Sequence, residues 1–230
     1  MIASPLSSVA QHQHPFPYSI YDNAFDAQTV AQASAEFPAP EWPDWFRYNS
    51  PLENKFAYNT PAGMGPACRS LLSELLRLRS DLIPDESLHG GGLHAMGRGG
   101  KLDMHLDCDR HPHTGWLRRV NAILYVNPDW QEEWGGELEF WSADMSRCEV
   151  KIAPVFNRLV LFDTNSISYH GVPEPLRCPE GVMRKSLAVY YWSEQPGESQ
   201  RPRARFVARP NDSKDPALEA LREARKNRAM

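Results

Sequence analysis

Short segments in which apolar and polar residues alternate are the feature that most restricts the fold of this chain. Eight follow one another between residues 93 and 192, each bounded by Gly, Pro, Asn or Asp: "LHAM", "KLDMHLD", "LRRVNAILYVN", "GELEFW", "EVKIA", "RLVLFDT", "SYHGV" and "RKSLAVYYW". A period of two is typical of strands with one buried face, and many short strands separated by turn residues indicate a sandwich or jelly roll.

Two helices are predicted before these strands. Asp26 is a candidate N-cap for a helix over "AQTVAQASAEF", and "CRSLLSELLRLRSDLI" has helical spacing that ends at Pro84. The proline-rich stretch 38–66 has little periodicity and predicts an irregular cover. The predicted fold class is therefore mainly β with flanking α, a jelly roll with the N-terminal helices packed on one sheet.

Composition sets the broad class. With 41% hydrophobic residues, 23% charged residues and a net charge of −4, the chain is typical of one globular domain and has no basic footprint for nucleic acid. We expect a flexible arm at 1–15, the domain at 16–200, and a charged, solvated tail at 201–230 with a short helix capped by Asp215. No apolar run could span a membrane and Met1–Ala10 lacks the features of a signal peptide, so the cytoplasm is the expected location.

A candidate metal site begins in "KLDMHLD". Alternation places Asp103, His105 and Asp107 on one face of a strand, whereas Cys108 faces the other way. An HxD pair alone is not specific, but His170 follows the strongly apolar strand "RLVLF". Two imidazoles and one carboxylate match the facial triad that binds Fe(II) and leaves three positions open. Tetrahedral zinc with a water ligand is the physical competitor.

Two further strands carry residues suited to a polar ligand. In "LRRVNAILYVN" the even positions are apolar, which leaves Arg119, Asn121, Ile123 and Tyr125 on a mixed face that suits the lumen of a barrel. Arg184 and Ser186 share a face of "RKSLAVYYW". A guanidinium there could hold the far carboxylate of a dicarboxylate that chelates iron, which favours iron over zinc.

The ordered set "PFPYSIYDNAF", "GGGLHAMGRGGKLDMHLD", "RRVNAILYVNPDW", "WGGELEFW", "NRLVLFDT", "SYHGVPEP" and "RKSLAVYYW" resembles the 2-oxoglutarate and Fe(II) dependent dioxygenases, in their prolyl 4-hydroxylase-like branch. The resemblance covers about residues 16–192 and implies a double-stranded β-helix. It also implies that His105, Asp107 and His170 hold the iron, that Arg184 with Ser186 binds the far carboxylate of 2-oxoglutarate, and that Tyr125 hydrogen-bonds this cosubstrate.

The activity that the resemblance implies is O2-dependent hydroxylation of an unactivated C–H, with release of succinate and CO2. Many relatives have a tyrosine in the strand before the HxD pair, so its role here either passes to His94 or is absent. Because Asp107 is present, hydroxylation is favoured over halogenation. Amino acids, peptides (including prolyl peptides) and small natural products are the candidate substrates, and the candidate substrate contacts are His94, Trp116, Arg119 and Asn121. Asn121 and Asp103 are also candidates to orient the metal ligands.

Two other functions remain open from the sequence. One is a cupin-like metal isomerase or hydrolase, in which Arg184 would bind a different acid. The other is a non-catalytic jelly-roll module that binds a metabolite. Oxygen-dependent release of succinate separates the dioxygenase from both. The tail helix is also compatible with a homodimer contact.

Overall fold

A curled antiparallel sheet forms the body of the protein in a computed structural model that describes residues 11–194, 201 and 203–227. The first ten residues of the predicted arm lie outside the described residues. The helices are α1 (Ala27–Ala35), α2 (Pro66–Leu75) and α3 (Pro216–Asn227), with single 3-10 turns at Pro61–Gly63 and Glu132–Trp134. The strands are β1 (Gln11–His12), β2 (Tyr18–Tyr21), β3 (Phe46–Ser50), β4 (Glu53–Tyr58), β5 (Ile83–Pro84), β6 (Gly92–Met96), β7 (Lys101–Leu106), β8 (Leu117–Tyr125), β9 (Leu138–Trp141), β10 (Cys148–Ile152), β11 (Arg158–Asp163), β12 (His170–Val172), β13 (Arg184–Ser193) and β14 (Arg205–Phe206).

The strand order confirms the predicted fold class. The main path runs β1-β2-β11-β8-β13-β6-β4-β7-β12-β9-β10, while β3 pairs with β4, β5 with β13 and β14 with β7. Neighbours on this path are antiparallel, and all except β1–β2 and β9–β10 are distant in sequence, as in a jelly-roll, double-stranded β-helix fold. This order brings β7 and β12 together, and it places β8 beside β13.

The two N-terminal helices cover one face of the sheet, as predicted. Val30 and Ala33 of α1 and the leucines of α2 pack with the even positions of β8 and with β13, and these side chains are fully or almost fully buried. Burying each leucine or valine contributes about 1.5–3 kcal/mol, which fixes this layer on the sheet. The opposite, concave face is left for the mixed side chains of β8 and β13.

Local signals set the helix ends. The Asp26 carboxylate accepts a hydrogen bond of 2.8 Å from the Thr29 amide, so the predicted N-cap of α1 is confirmed. The prediction that the second helix extends to Pro84 was wrong, because α2 begins at Pro66 and ends at Leu75. The buried Tyr191 hydroxyl donates to the Leu75 carbonyl, which satisfies one acceptor at the end of α2.

The stretch 38–66 contains a β-hairpin instead of the irregular cover that we expected. Phe46–Ser50 and Glu53–Tyr58 form β3 and β4, and β4 joins the main sheet through β6 and β7. Aromatic residues lie on both faces of this hairpin. Phe56 and Tyr58 pack on the side of the helices, whereas Tyr48 faces Lys55 on the opposite side. The sequence therefore lacks the one-sided apolar pattern by which a strand is recognised.

The C-terminal segment is not the solvated appendage that we expected. β14 pairs with β7, Phe206 is buried, and Arg222 of α3 is buried against Asp103. The Asp215 carboxylate accepts a hydrogen bond from the Ala217 amide, which agrees with its predicted capping of this helix. The domain boundaries, the cytoplasmic location and the homodimer stay predictions. None of the helices among the described residues has the length and apolar composition that a membrane-spanning helix needs.

Candidate active site

Three predicted metal ligands meet where β7 and β12 pair. His105 and His170 are directly opposite in the register, and their ring centroids are 4.4 Å apart. The Asp107 carboxylate, which follows β7, lies 3.5 Å from His105 Nε2 and 3.4 Å from His170 Nε2. One ligand atom of each residue lies within 4.8 Å of the others, and within the described ranges no other group of three His, Cys, Asp or Glu side chains is this compact.

The two imidazoles are held by the same local contact. His105 Nδ1 lies 2.9 Å from the Asp103 carbonyl and His170 Nδ1 lies 2.9 Å from the Ser168 carbonyl. Since a carbonyl only accepts, each Nδ1 carries a proton, and each Nε2 is the ring nitrogen nearest to Asp107. Burial lowers the pKa of His170 to about 4, so this ring is neutral at pH 7, the form in which imidazole binds a metal.

A chain of buried hydrogen bonds orients the Asp107 carboxylate. Asn121 Nδ2 donates to Asp107 Oδ2 at 2.7 Å, and Arg118 Nε donates to Asn121 Oδ1 at 2.8 Å. Arg118 Nη2 also lies 3.3 Å from Asp107 Oδ2. Burial would raise the pKa of Asp107, but the Arg118 guanidinium holds it well below its usual range. The carboxylate is therefore ionised and its orientation is fixed.

Arg118 takes the place that the alternation assigned to Arg119, so the predicted position of Arg119 was wrong. Tyr191 pairs with Val120 whereas Trp192 pairs with Arg118, which leaves Arg119 as the extra residue of a β-bulge. The bulge reverses the alternation, and Arg118 joins the face of Asn121 while Arg119 is exposed on the other. Arg118 was not predicted from the sequence, because nothing in the pair Arg118–Arg119 indicates which of the two side chains the bulge turns outward.

The residues predicted to hold a dicarboxylate also lie together. Arg184 is buried at the start of β13, where its Nε donates to the Gly136 carbonyl at 2.7 Å and its Nη2 donates to the Tyr125 hydroxyl at 3.1 Å. Ser186 stands directly opposite Tyr125. These two bonds leave three guanidinium N–H groups for a ligand, which is enough for a bidentate contact with a carboxylate.

His94 and Trp116, two of the predicted substrate contacts, have different surroundings. His94 lies opposite Ser186 in β6, and its Nε2 donates to the Gly90 carbonyl at 2.9 Å. Burial and the charge of Lys55 lower the pKa of His94 to about 3, so the ring is neutral. Trp116 is partly buried against Tyr190 and Trp192 and belongs to the aromatic rim of the concave face.

The C-terminal segment covers the first imidazole. Phe206 pairs with His105 across β14 and β7, and the two ring centroids are 5.4 Å apart. Beyond it, Arg222 contacts Asp103 at 3.5 Å and Arg225 contacts Glu53. The tail thus contributes a wall of the site that the sequence did not reveal.

The chemistry of the donor set fits a non-haem iron. Two imidazole nitrogens and one carboxylate oxygen within 4.8 Å of one another are the donor set of the facial triad. Residues 91–192 match the family model described as "2OG-Fe(II) oxygenase superfamily". Fe(II), 2-oxoglutarate and O2 are the cofactor, cosubstrate and oxidant of 2OG-Fe(II) oxygenases.

The chain is also similar to one curated protein and to several solved structures. The chain is 30% identical over 79 residues to mouse prolyl 3-hydroxylase OGFOD1; the match covers 33% of this chain and 14% of that protein. Among solved structures, a Pseudomonas putida prolyl-4-hydroxylase has a TM-score of 0.56 and 22% identity, covering 76% of this chain and 91% of that one. Streptomyces hygroscopicus HygX with nickel and 2-oxoglutarate has a TM-score of 0.51 and 15% identity, covering 76% and 82%. At these identities the solved structures show the fold.

Proposed function

We propose that this protein is a dioxygenase that uses Fe(II) and 2-oxoglutarate to hydroxylate an unactivated C–H of an amino acid, a peptide or a small natural product. The observation that carries the proposal is the convergence of His105, Asp107 and His170 within an oxygenase domain. Bound iron supplies the oxidising chemistry, in which 2-oxoglutarate and O2 become succinate and CO2 as the substrate gains a hydroxyl group.

In this proposal the chain holds and orients the reactants. His105, Asp107 and His170 bind the iron, while Arg184 and Ser186 bind the far carboxylate of 2-oxoglutarate and Tyr125 hydrogen-bonds the same molecule. The burial of Arg184 and its bond to Tyr125 support this assignment. Asn121 and Arg118 keep the Asp107 carboxylate in one orientation, and the buried aromatic rings around His105 and His170 exclude water.

Two of the relatives named above, the mouse and the Pseudomonas putida proteins, are prolyl hydroxylases, which supports a peptidyl or free proline among the candidate substrates. His94 and Trp116 are proposed as substrate contacts because both lie on the concave face near Tyr190 or Ser186. A screen of amino acids, amines and peptides for a mass gain of one oxygen identifies the substrate class.

Oxygen-dependent succinate formation tests the proposed function. We expect the protein with Fe(II) to release succinate from 2-oxoglutarate only in the presence of O2, and His105→Ala to abolish the release because one iron ligand is lost. Arg119→Ala is the matched control, since that side chain is exposed and points away from the site. Succinate formation that persists in His105→Ala, or none in the wild-type protein across the substrate screen, would favour the cupin-like enzyme or the binding module.

A further inference from the structure

The concave side of the β3–β4 hairpin forms an aromatic cavity beside the site. Phe46 and Tyr48 contact each other edge to face, with ring centroids 4.7 Å apart, and Phe46 is 62% exposed. Their rings line a cavity of about 270 Å³ together with Ala57, His89 and Gly90. An exposed phenylalanine on the wall of a cavity leaves apolar surface available to a ligand.

This cavity shares a wall with the candidate active site. The Gly90 carbonyl accepts hydrogen bonds of 2.9 Å from both His94 Nε2 and the Tyr190 hydroxyl. The Tyr190 ring lies 3.4 Å below the Arg118 guanidinium, which in turn contacts Asp107. Tyr190 and Arg118 therefore connect the wall of the cavity to Asp107, one of the proposed iron ligands.

Lys55 of β4 lies against Tyr48, one of the residues that line this cavity. Its ammonium lies 4.8 Å from the centre of the Tyr48 ring, and its side chain is only 16% exposed. The nearest carboxylate oxygen, Glu53 Oε2, is 3.8 Å away, beyond hydrogen-bond distance, and Arg225 binds the other oxygen of Glu53. Among the described residues, no acceptor makes a hydrogen bond to this ammonium, although it has three donors.

Lys55 has both cations and carboxylates as neighbours. Arg118 and Arg184 are cations on the concave side, Asp107 is the carboxylate closest to the proposed iron, and Glu53 is shared between Lys55 and Arg225. Burial lowers the pKa of Lys55 against the opposing effect of Glu53 and Asp107, as expected for an ammonium that is poorly solvated. A divalent metal adds two positive charges, which the two carboxylates of 2-oxoglutarate balance. The carboxylate nearest to Lys55 is then still Glu53, which Lys55 shares with Arg225.

We propose that the primary substrate carries an anionic oxygen group, a carboxylate or a phosphate, that binds to Lys55 while its apolar part packs against Phe46 and Tyr48. This inference rests on the proposed function only in treating the ligand of the cavity as the molecule that is oxidised. It deepens that function by naming the charge and the apolar character of the substrate.

Pairs of probes that carry or lack an anionic group test the inference. We use 3-phenylpropanoate with 3-phenylpropanamide for the carboxylate, and phenyl phosphate with phenol for the phosphate. Dissociation constants are measured by ligand-observed NMR on full-length protein with Mn(II) and saturating 2-oxoglutarate, so that the cosubstrate site is filled. We expect at least one acid to bind at least about 10-fold more tightly than its neutral partner, which corresponds to about 1.4 kcal/mol for one buried ion pair.

Variants of Lys55 assign the preference to this residue. Lys55→Met should remove the difference between acid and neutral probe, and Lys55→Arg should retain it because the charge is kept. Lys214→Met, at an exposed lysine, is the control and should retain it as well. The inference is overturned if neither acid binds more tightly than its neutral partner, or if Lys55→Met keeps the preference. Because binding is measured without turnover, these results are independent of succinate formation, whose failure would overturn only the proposed function.

Discussion

His105 and His170 are oriented by the same kind of backbone hydrogen bond, although they lie on different strands. In each case the ring donates Nδ1–H to the carbonyl of the residue two positions earlier. A contact this local needs no other part of the fold, so each ring has one orientation as soon as its strand forms. Asp107 differs from the two histidines, because its orientation depends on side chains from β8, which is distant in sequence.

At the residue scale we predict that Asn121→Ala weakens metal binding. The variant removes the 2.7 Å hydrogen bond that fixes Asp107 and also the acceptor of Arg118. Loss of such a contact to a metal ligand is expected to reduce affinity about 10- to 100-fold. Anaerobic titration with Fe(II) or Mn(II) measures the change, and Arg119→Ala is the control on the same strand. Equal affinities for Asn121→Ala and the wild-type protein would show that Arg118 alone orients Asp107.

Much of this site could be predicted residue by residue, for a physical reason. Alternation in a strand fixes which side chains share a face, and it correctly grouped His105 with Asp107 and Arg184 with Ser186. Arg118 could not be predicted, because a bulge depends on how β8 pairs with β13 and leaves no local mark in the sequence. Lys55 was not predicted as a site residue, because the face of β4 that lies toward the candidate active site carries polar residues.

At the element scale, the turn before β9 holds Arg184 in position. Gly136 has φ +88°, and a Cβ there would lie 2.8 Å from Leu176 Cδ2 and 3.1 Å from Arg184 Cδ. Its carbonyl is also the acceptor for Arg184 Nε. The backbone conformation and the close approach both require glycine at this position.

We therefore predict that Gly136→Ala raises the KM for 2-oxoglutarate by about 10-fold. Displacing Arg184 from the Gly136 carbonyl loses a charged hydrogen bond of about 1.5 kcal/mol, and one factor of ten corresponds to about 1.4 kcal/mol. Gly115→Ala is the matched control, because Gly115 also has a positive φ, +70°, but nothing lies within 4 Å of its added Cβ. Both variants should lose about 1 kcal/mol of stability from backbone strain, and an unchanged KM in Gly136→Ala would contradict the prediction.

At the scale of the whole molecule, the C-terminal segment that contains β14 and α3 packs against the core that precedes it in sequence. β14 extends the sheet at β7, the Val207 amide donates to the Met104 carbonyl at 2.9 Å, and α3 contacts Asp103 and Glu53 through two arginines. Phe206 is the main apolar contact of this segment with the site. The composition of the tail is charged, so its packing could not be predicted from hydrophobicity.

We predict that Phe206→Ala destabilises the protein by about 3 kcal/mol, the usual cost of removing a buried phenylalanine. The same change should weaken metal binding because His105 loses its cover. Urea denaturation of the metal-free protein measures the free energy of unfolding. Val155→Ala, at a side chain that is 43% exposed, should change it by less than about 0.5 kcal/mol. A similar small effect for both variants would mean that the tail is not part of the cooperative unit.

The late position of Phe206 in the chain also has a consequence for the order of folding during synthesis. A ribosome makes the chain from the N-terminus, so β7 and β12 leave the exit tunnel before residues 201–227. The ligand side chains can therefore assemble while His105 still lacks its aromatic cover. We expect a metal ion to load onto the nascent chain and onto the mature protein at different rates, even where the final affinity is the same.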